Sequence, residues 1–472
     1  MEERMDRTLV MKFGGTSVGS ADAINRAVTL IQEGAGKWEN LVVVVSAMSG
    51  VTDNLIRCAR TAAGGQQEGY LEIIEALRDR HVSVVNLLFQ ADQEQQELLQ
   101  VIEHQLSNLT ALCSSIHILG EVTPRAMDVI SSLGERINAR IIAALLRELG
   151  LLSQAVDATE CIVTDARFQS AVPLMDKTRE KVRSRLLPEF GENRIPVVTG
   201  FMAATEDGIT TTLGRGGSDY TAAILGSCLD AAEVWTWTDV DGVMTADPRL
   251  VPDAKVIPML SYAEVSELAY FGAKVLHPRT IRPIVERNIP LWVKNTFNPG
   301  IEGTCIVREA DKQQDLVKAV TLIKDLSMVT VEGRGMMGVP GIAARTFGAV
   351  ARQGASVLMI SQASSEQSIS FIIPAETSQE VIRSVESEME LELERRDVDR
   401  VWAMDGIVIV TVVGAGMRHI PGIAARVFKA LAGEGINVVA IAQGSSDFSL
   451  SLVVSAADGA AAVGSIHNGL FN

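Results

Sequence analysis

An internal repeat constrains this 472-residue chain more than any other feature. Residues 336–373 align with 417–454 at a constant offset of 81, with 18 identities in 38 positions. The shared core is Pro340-Gly341-Ile342-Ala343-Ala344-Arg345 and Pro421-Gly422-Ile423-Ala424-Ala425-Arg426. Gln362-x-Ser364-Ser365 is echoed by Gln443-x-Ser445-Ser446. A duplicated segment of this size is one supersecondary unit that buries its apolar face against its copy. Each copy reads as strand, Gly/Pro turn, helix, strand, polar turn, strand. The polar turns recur along with the apolar residues, so the pair is expected to bind a ligand there.

The first part of the chain has a different grain. Leu9 to Phe13 and Leu41 to Ser46 read as buried strands, and Ala21 to Glu33 between them has helical periodicity. Strand, helix, strand predicts a mainly parallel sheet covered by helices. Residues 62–117 are polar and amphipathic, a helical excursion from that sheet. Strand-like runs return at Ile195 to Thr199, Glu233 to Trp237 and Pro290 to Lys294. The charged stretch Glu309 to Asp315 reads as a hinge. These features divide the chain into a first domain over 1–308 and two smaller repeat units over 317–395 and 400–472.

The net charge of −16 argues against a nucleic-acid partner, which such a chain would repel. A nucleotide needs only a local cluster of cations and stays open. Five scattered cysteines form no C-x-x-C pair, and the six histidines have no ligand spacing, so no structural metal site is expected. No apolar run is long enough to span a membrane, and Met1 to Arg7 is charged, unlike a signal peptide. A cytoplasmic protein with free, buried thiols is the expectation.

Four segments carry chemistry. In Lys12-Phe13-Gly14-Gly15-Thr16-Ser17 a buried strand runs into two glycines and then two hydroxyls. Glycines let the backbone present N–H groups to an anion, and a helix start favours phosphate. Lys12 precedes the turn, unlike the lysine of a Walker motif. Taken alone, the segment fits a plain β-to-α turn equally well. In the second, Gly214-Arg215-Gly216-Gly217-Ser218-Asp219, Arg215 suits a carboxylate and the glycine amides suit phosphate. Asp219 suits an orienting role toward Lys12 or toward metal-bound phosphate. The third, Thr238-Asp239-Val240-Asp241-Gly242 followed by Asp247-Pro248-Arg249, leaves the end of a strand, where open α/β sheets bind ligands. The fourth is Phe271-Gly272-Ala273-Lys274-Val275-Leu276-His277-Pro278, in which His277 precedes a proline at a turn and reads as structural.

Together these segments resemble the aspartate kinase family. Val122-Thr123-Pro124-Arg125 and Leu133-Gly134-Glu135-Arg136 also look like the family's substrate-side helices. The resemblance covers essentially the whole chain, with the motifs in the family's order. It implies an amino-acid-kinase fold followed by two ACT-type βαββ units. It also implies transfer of the ATP γ-phosphoryl group to the side-chain carboxylate of L-aspartate, the first step toward lysine, threonine and methionine. By similarity, Lys12 stabilises the moving phosphoryl with the amides of Gly14 and Gly15, and Asp219 holds Lys12. Ser46, Thr52, Glu135, Arg215 and Ser218 hold the substrate, Glu135 through its ammonium and Arg215 through a carboxylate. ATP meets Thr238, Asp239, Arg249, Lys274 and Val275, and Mg2+ bridges its phosphates. One departure is Met244, where many members carry Tyr.

The repeat resembles paired ACT domains, which bind amino-acid effectors. Gln362, Ser364, Ser365, Gln443, Ser445 and Ser446 are the expected effector contacts, with threonine first and lysine second. The C-terminal part looks most like threonine-sensitive members and like the kinase portion of bifunctional aspartate kinase–homoserine dehydrogenases. It fits a monofunctional relative or the kinase part of a longer chain. ACT units commonly pair across subunits, which implies a homodimer or homotetramer, and the segment from Val317 can add a strand to the second unit. Gly333-Arg334-Gly335-Met336-Met337-Gly338 matches a dinucleotide fingerprint, but residues 357–362 lack the acidic residue that such a site needs. Two other readings remain: a relative acting on glutamate or a nucleoside monophosphate, and a non-catalytic sensor. The first would lack the paired repeat, and the second would have lost one of Lys12, Arg215, Asp219 or Lys274.

Overall fold

A computed structural model describes residues 5–90, 93–273, 276–309, 317–362, 367–415, 417, 421–443 and 448–471. The chain forms two compact units. The first holds 1–243, 256–262 and 276–310, and the second holds 244–255, 263–275 and 311–472.

The chain opens with β1 (Met5–Phe13), α1 (Ala21–Lys37) and β2 (Trp38–Val45). Helices α2 (Val51–Ala63), α3 (Gln67–Leu88), α4 (Gln93–Leu119), α5 (Pro124–Ser131) and α6 (Leu133–Glu148) follow. Next come β3 (Ser153–Val156), β4 (Val163–Thr164), α7 (Met175–Gly191), β5 (Ile195–Thr199), β6 (Met202–Thr205), β7 (Thr210–Thr212), α8 (Gly217–Cys228) and β8 (Glu233–Thr238). Then β9 (Met259–Ser261), α9 (Tyr262–Tyr270), α10 (Pro278–Val285), β10 (Leu291–Asn295) and β11 (Thr304–Val307). The eight-stranded sheet runs β3-β5-β2-β1-β8-β10-β11-β9, and only the β10–β11 pair is antiparallel. A small sheet, β4-β6-β7, lies beside it in sequence.

The local reasons are visible in the residues. Leu41 to Val45 are all buried, and a run of β-branched side chains suits a strand covered on both faces. Helix α1 buries Ala23, Ile24, Ala27, Val28 and Ile31, and Lys37 sits at its negative end. Its cap is Ser20, whose side chain accepts from the Ala23 N–H at 3.2 Å. Thr16 and Ser17 therefore belong to the turn and not to the cap. The polar excursion resolves into α3 and α4, which bury Leu77, Val85, Ile102, Leu106 and Leu109 in the same core as β1 and β2. Among the described residues no helix is long and apolar enough to cross a membrane.

The second unit contains β12 (Ala319–Glu332), α11 (Ile342–Arg352), β13 (Met359–Gln362), β14 (Ser368–Pro374), α12 (Ser378–Glu388) and α13 (Glu390–Arg395). The second copy follows as β15 (Arg400–Val413), α14 (Ile423–Gly433), β16 (Ala440–Ala442), β17 (Ser449–Ser455) and α15 (Gly459–Phe471). Its antiparallel sheet, β13-β14-β12-β15-β17-β16, is symmetric about the β12–β15 pair. The two long strands exchange halves. Ala319 to Ile323 pair with Ile409 to Val413, while Met328 to Glu332 pair with Arg400 to Met404. Each copy thus lends a strand to the other.

The fingerprint at 333–338 is a short turn of 3-10 helix over Arg334–Met336. Its first two glycines are explained by crossing chains. A Cβ on Gly333 would lie 2.2 Å from the Asp397 carbonyl oxygen, and one on Gly335 would lie 2.6 Å from the Asp397 Cα.

Candidate active site

Parallel strands end together, and the loops that leave their carboxyl ends meet. In the first unit those ends are β1 at Phe13, β2 at Val45 and β5 at Thr199. The segments that follow them border a cavity of about 650 Å³. Of the expected residues, Lys12, Gly15, Ser46, Thr52, Glu135, Arg215, Ser218 and Asp219 all face it. Segments separated by two hundred residues are gathered there.

Lys12 is buried, and its Nζ lies 2.6 Å from Asp219 Oδ1. The strand register fixes the lysine, because Lys12 sits opposite Val44 of β2 and Thr236 of β8. Asp219 lies in the first turn of α8. Gly216 begins that helix at φ 71°, a left-handed conformation suited to glycine. Residues 216–218 line the cavity, so the positive end of a 12-residue helix points at it. The Gly15 backbone borders the cavity as well. The Gly14 N–H does not serve there: it donates to the Trp237 carbonyl at 3.0 Å, which leaves Gly15 as the available amide. Ser17 is also committed, bonding Trp237 and Thr296.

Glu135 is buried in the first turn of α6. Its carboxylate accepts from the Ala47 N–H, yet burial dominates and pushes its pKa up to about 8. Its Oε2 is buried with no partner. An orphaned buried acceptor in a cavity is a ready site for a cation. Arg215 is exposed and forms no ion pair among the described residues, so its guanidinium is open to an anion. The cavity therefore pairs an acceptor for a cation with a donor fork for a carboxylate.

Thr238 and Asp239 stand at the end of β8, outside the residues that line the cavity, with Thr238 Oγ1 donating to Asp239 at 3.2 Å. Arg249 belongs to the second unit's 244–255 segment, and its guanidinium lies 2.6 Å from Asp247. Lys274 and Val275 lie outside the described residues, as do Ser364, Ser365, Ser445 and Ser446. Gln362 ends β13 and Gln443 follows β16, and both are exposed. His277 caps α10 by accepting from the Arg279 N–H at 3.2 Å.

Among the cavity-wall residues that sequence reasoning missed are Asp128, Gln169 and Phe201. Asp128 is fully buried in α5. Gln169 and Phe201 are held at φ 68° and 71°, conformations that cost energy for residues with a Cβ.

Comparison with known proteins places the chain in a family. The amino acid kinase family matches residues 7–295, and the ACT domain matches 329–389 and 410–470. The chain is 37% identical over 470 residues to the bifunctional aspartokinase/homoserine dehydrogenase 2 of Arabidopsis thaliana, covering 98% of this chain and 50% of that protein. It spans about half the length of this relative and of the bifunctional protein of Zea mays. E. coli aspartokinase III, solved with aspartate and ADP in its R-state, is 32% identical with a TM-score of 0.79, covering 98% of this chain and 100% of that one. The same enzyme solved with lysine and aspartate in its T-state is 31% identical with a TM-score of 0.80, at the same coverage. The chain belongs to the amino acid kinase family and, within it, to the aspartokinases.

Proposed function

We propose that the protein is an aspartate kinase that forms 4-phospho-L-aspartate from MgATP and L-aspartate. The observation that carries this reading is the cavity itself. A buried Lys12 paired with Asp219, an orphaned Glu135 oxygen and an Arg215 with no ion pair among the described residues face one space. A zwitterion with an extra carboxylate has the complementary charges. Glu135 takes the ammonium, and Arg215, with Thr52 and Ser218, takes a carboxylate. The second carboxylate is then left to meet the phosphoryl group.

That carboxylate is ionised at neutral pH, so no general base is required. Positioning and charge stabilisation do the work. Lys12, the Gly15 amide, Ser46 and the start of α8 present positive potential to the moving phosphoryl, and Asp219 keeps Lys12 in place. Thr238, Asp239, Arg249, Lys274 and Val275 are assigned to the nucleotide by family likeness. Among the described residues no three His, Cys, Asp or Glu side chains gather as a metal site. Magnesium is accordingly assigned to the nucleotide phosphates that bring it.

We assign 1–308 to the catalytic domain, although its segments 244–255 and 263–275 belong to the second compact unit, and 317–395 with 400–472 to two strand-exchanged ACT units. Their effector is threonine first and lysine second, held near Gln362 and Gln443. Ile360 and Ile441, one repeat apart, are 52% and 47% exposed on the edge strands β13 and β16. Such apolar edges favour assembly into a homodimer or homotetramer through these units.

The test is acyl-phosphate formation. The purified protein with MgATP and L-aspartate should give a hydroxamate when hydroxylamine is added. Turnover on glutamate or a nucleoside monophosphate, with no aspartyl hydroxamate, would overturn the assignment.

A further inference from the structure

We infer that Asp128 is a positioning residue, holding two separate loops so that Arg215 is presented to the substrate. The inference rests on the reading that Arg215 clasps a carboxylate of the substrate. Asp128 is 0% exposed and pairs with no cation among the described residues. A buried carboxylate without a cation is expensive unless its lone pairs are filled. Here they are filled by two residues. The Gln169 N–H lies 3.0 Å from both carboxylate oxygens. Thr212 donates twice, from its N–H to Oδ2 at 3.0 Å and from its hydroxyl to Oδ1 at 2.9 Å. Burial raises the carboxyl's pKa while these donors lower it.

The anchored residues are the informative part. Thr212 ends β7, three residues before Arg215. Gln169 sits in the loop against which that segment turns, and a Cβ on Gly214 would lie 2.9 Å from the Gln169 carbonyl oxygen. The Ala171 N–H closes the same junction by donating to the Thr212 carbonyl at 2.9 Å. One carboxylate therefore clamps a left-handed Gln169 and the root of the Arg215 loop together. Asp128, Gln169, Thr212 and Arg215 all border the cavity. Core packing alone would be served by an apolar residue in α5. A charge that reaches across 41 and 84 residues of chain serves the alignment of those loops.

The test compares aspartate and ATP saturation for the wild type, Asp128→Asn, Thr212→Val, Arg215→Ala and the Asp128→Asn/Arg215→Ala double variant. Thermal denaturation checks folding. Asp128→Asn should raise KM for aspartate on the order of 100-fold, the scale of a misplaced binding group, and leave KM for ATP within about twofold. Thr212→Val, which removes a single hydroxyl, should act in the same direction but less. The double variant should be no worse than Arg215→Ala alone, because Asp128 acts through that residue. An unchanged aspartate KM in Asp128→Asn, or losses that multiply in the double variant, overturns the inference. Should Asp128→Asn fail to fold, an unchanged aspartate KM in Thr212→Val overturns it. An Arg215→Ala protein with unaltered aspartate KM would instead remove the substrate reading on which the inference stands.

Discussion

Two carboxylates in the cavity wall are buried, and they differ in what satisfies them. Every Asp128 contact is internal, whereas Glu135 keeps one oxygen with no partner. A cation that reaches Glu135 must displace the proton that burial retains there, and this gives its binding a pH signature. The Glu135 carboxyl titrates near 4.5 when exposed and about 8 when folded. Between those values the folded state holds a proton that the unfolded state has lost. The group's contribution to stability is full below about 4.5, falls as pH rises toward 8, and is flat above. Glu135→Gln removes that dependence, at about 1.4 kcal/mol per pH unit in the window. Its Tm should exceed that of the wild type by a margin that grows from pH 5 to pH 8, while aspartate KM rises sharply. A Tm difference independent of pH would refute the ionisation argument. Lys12→Ala should lower kcat on the order of 100- to 1,000-fold, the usual cost of one transition-state donor, with the far-ultraviolet spectrum unchanged. Lys12, Asp219 and Arg215 were legible in the sequence because glycines and strand ends flag them. Asp128 was not, because a carboxylate in a short amphipathic helix looks solvated until its partners, far along the chain, arrive. Left-handed Gln169 and Phe201 carry no sequence sign, since only glycine announces that conformation.

At the scale of elements, the parallel sheet was readable because its strands are continuous apolar runs between helices. The repeat offset also identified two equivalent units. What the offset could not carry is which copy pairs with which. A 14-residue strand such as β12 is buried toward both ends, and the division of its pairing at Ile323 to Met328 is a tertiary outcome. The glycines at 333 and 335 show the same limit. A fingerprint spacing arose from two close backbone approaches to residues 397–399. Gly333→Ala forces a Cβ into a backbone oxygen and should destabilise the second unit by about 3 kcal/mol, at the upper end for overpacking. Thermal unfolding should move down, and the response to effector should be lost. Equal stability of Gly333→Ala and the wild type would mean that the turn is not held by this crossing.

For the whole molecule, connectivity constrains how regulation can work. The chain leaves the first unit for the second at residue 244, returns at 256, leaves again at 263 and returns at 276. Those two excursions are built into the second unit's own cores. Ala246 and Val251 join the cluster of Val410, Val427 and Ile466, and Phe271 joins that of Met328, Ile372 and Val453. Thr245 is tied to His467 of α15 at 2.9 Å. The excursions also carry Arg249, Lys274 and Val275, the residues that family likeness assigns to ATP. An effector that changes the second unit's packing thus acts on a unit covalently continuous with that nucleotide stretch. Threonine, or failing it lysine, should therefore shift the dissociation constant of ATP, by a factor matching the usual coupling of about 1–3 kcal/mol. The coupling is reciprocal, so saturating nucleotide should change the effector's affinity by the same factor. Gln443→Ala should abolish the shift without altering basal turnover, because Gln443 lies in the second unit and outside the catalytic cavity. An effector that altered aspartate KM alone, with both nucleotide quantities fixed, would place the route elsewhere. The two excursions would then be packing segments rather than the connection through which the sensor is felt.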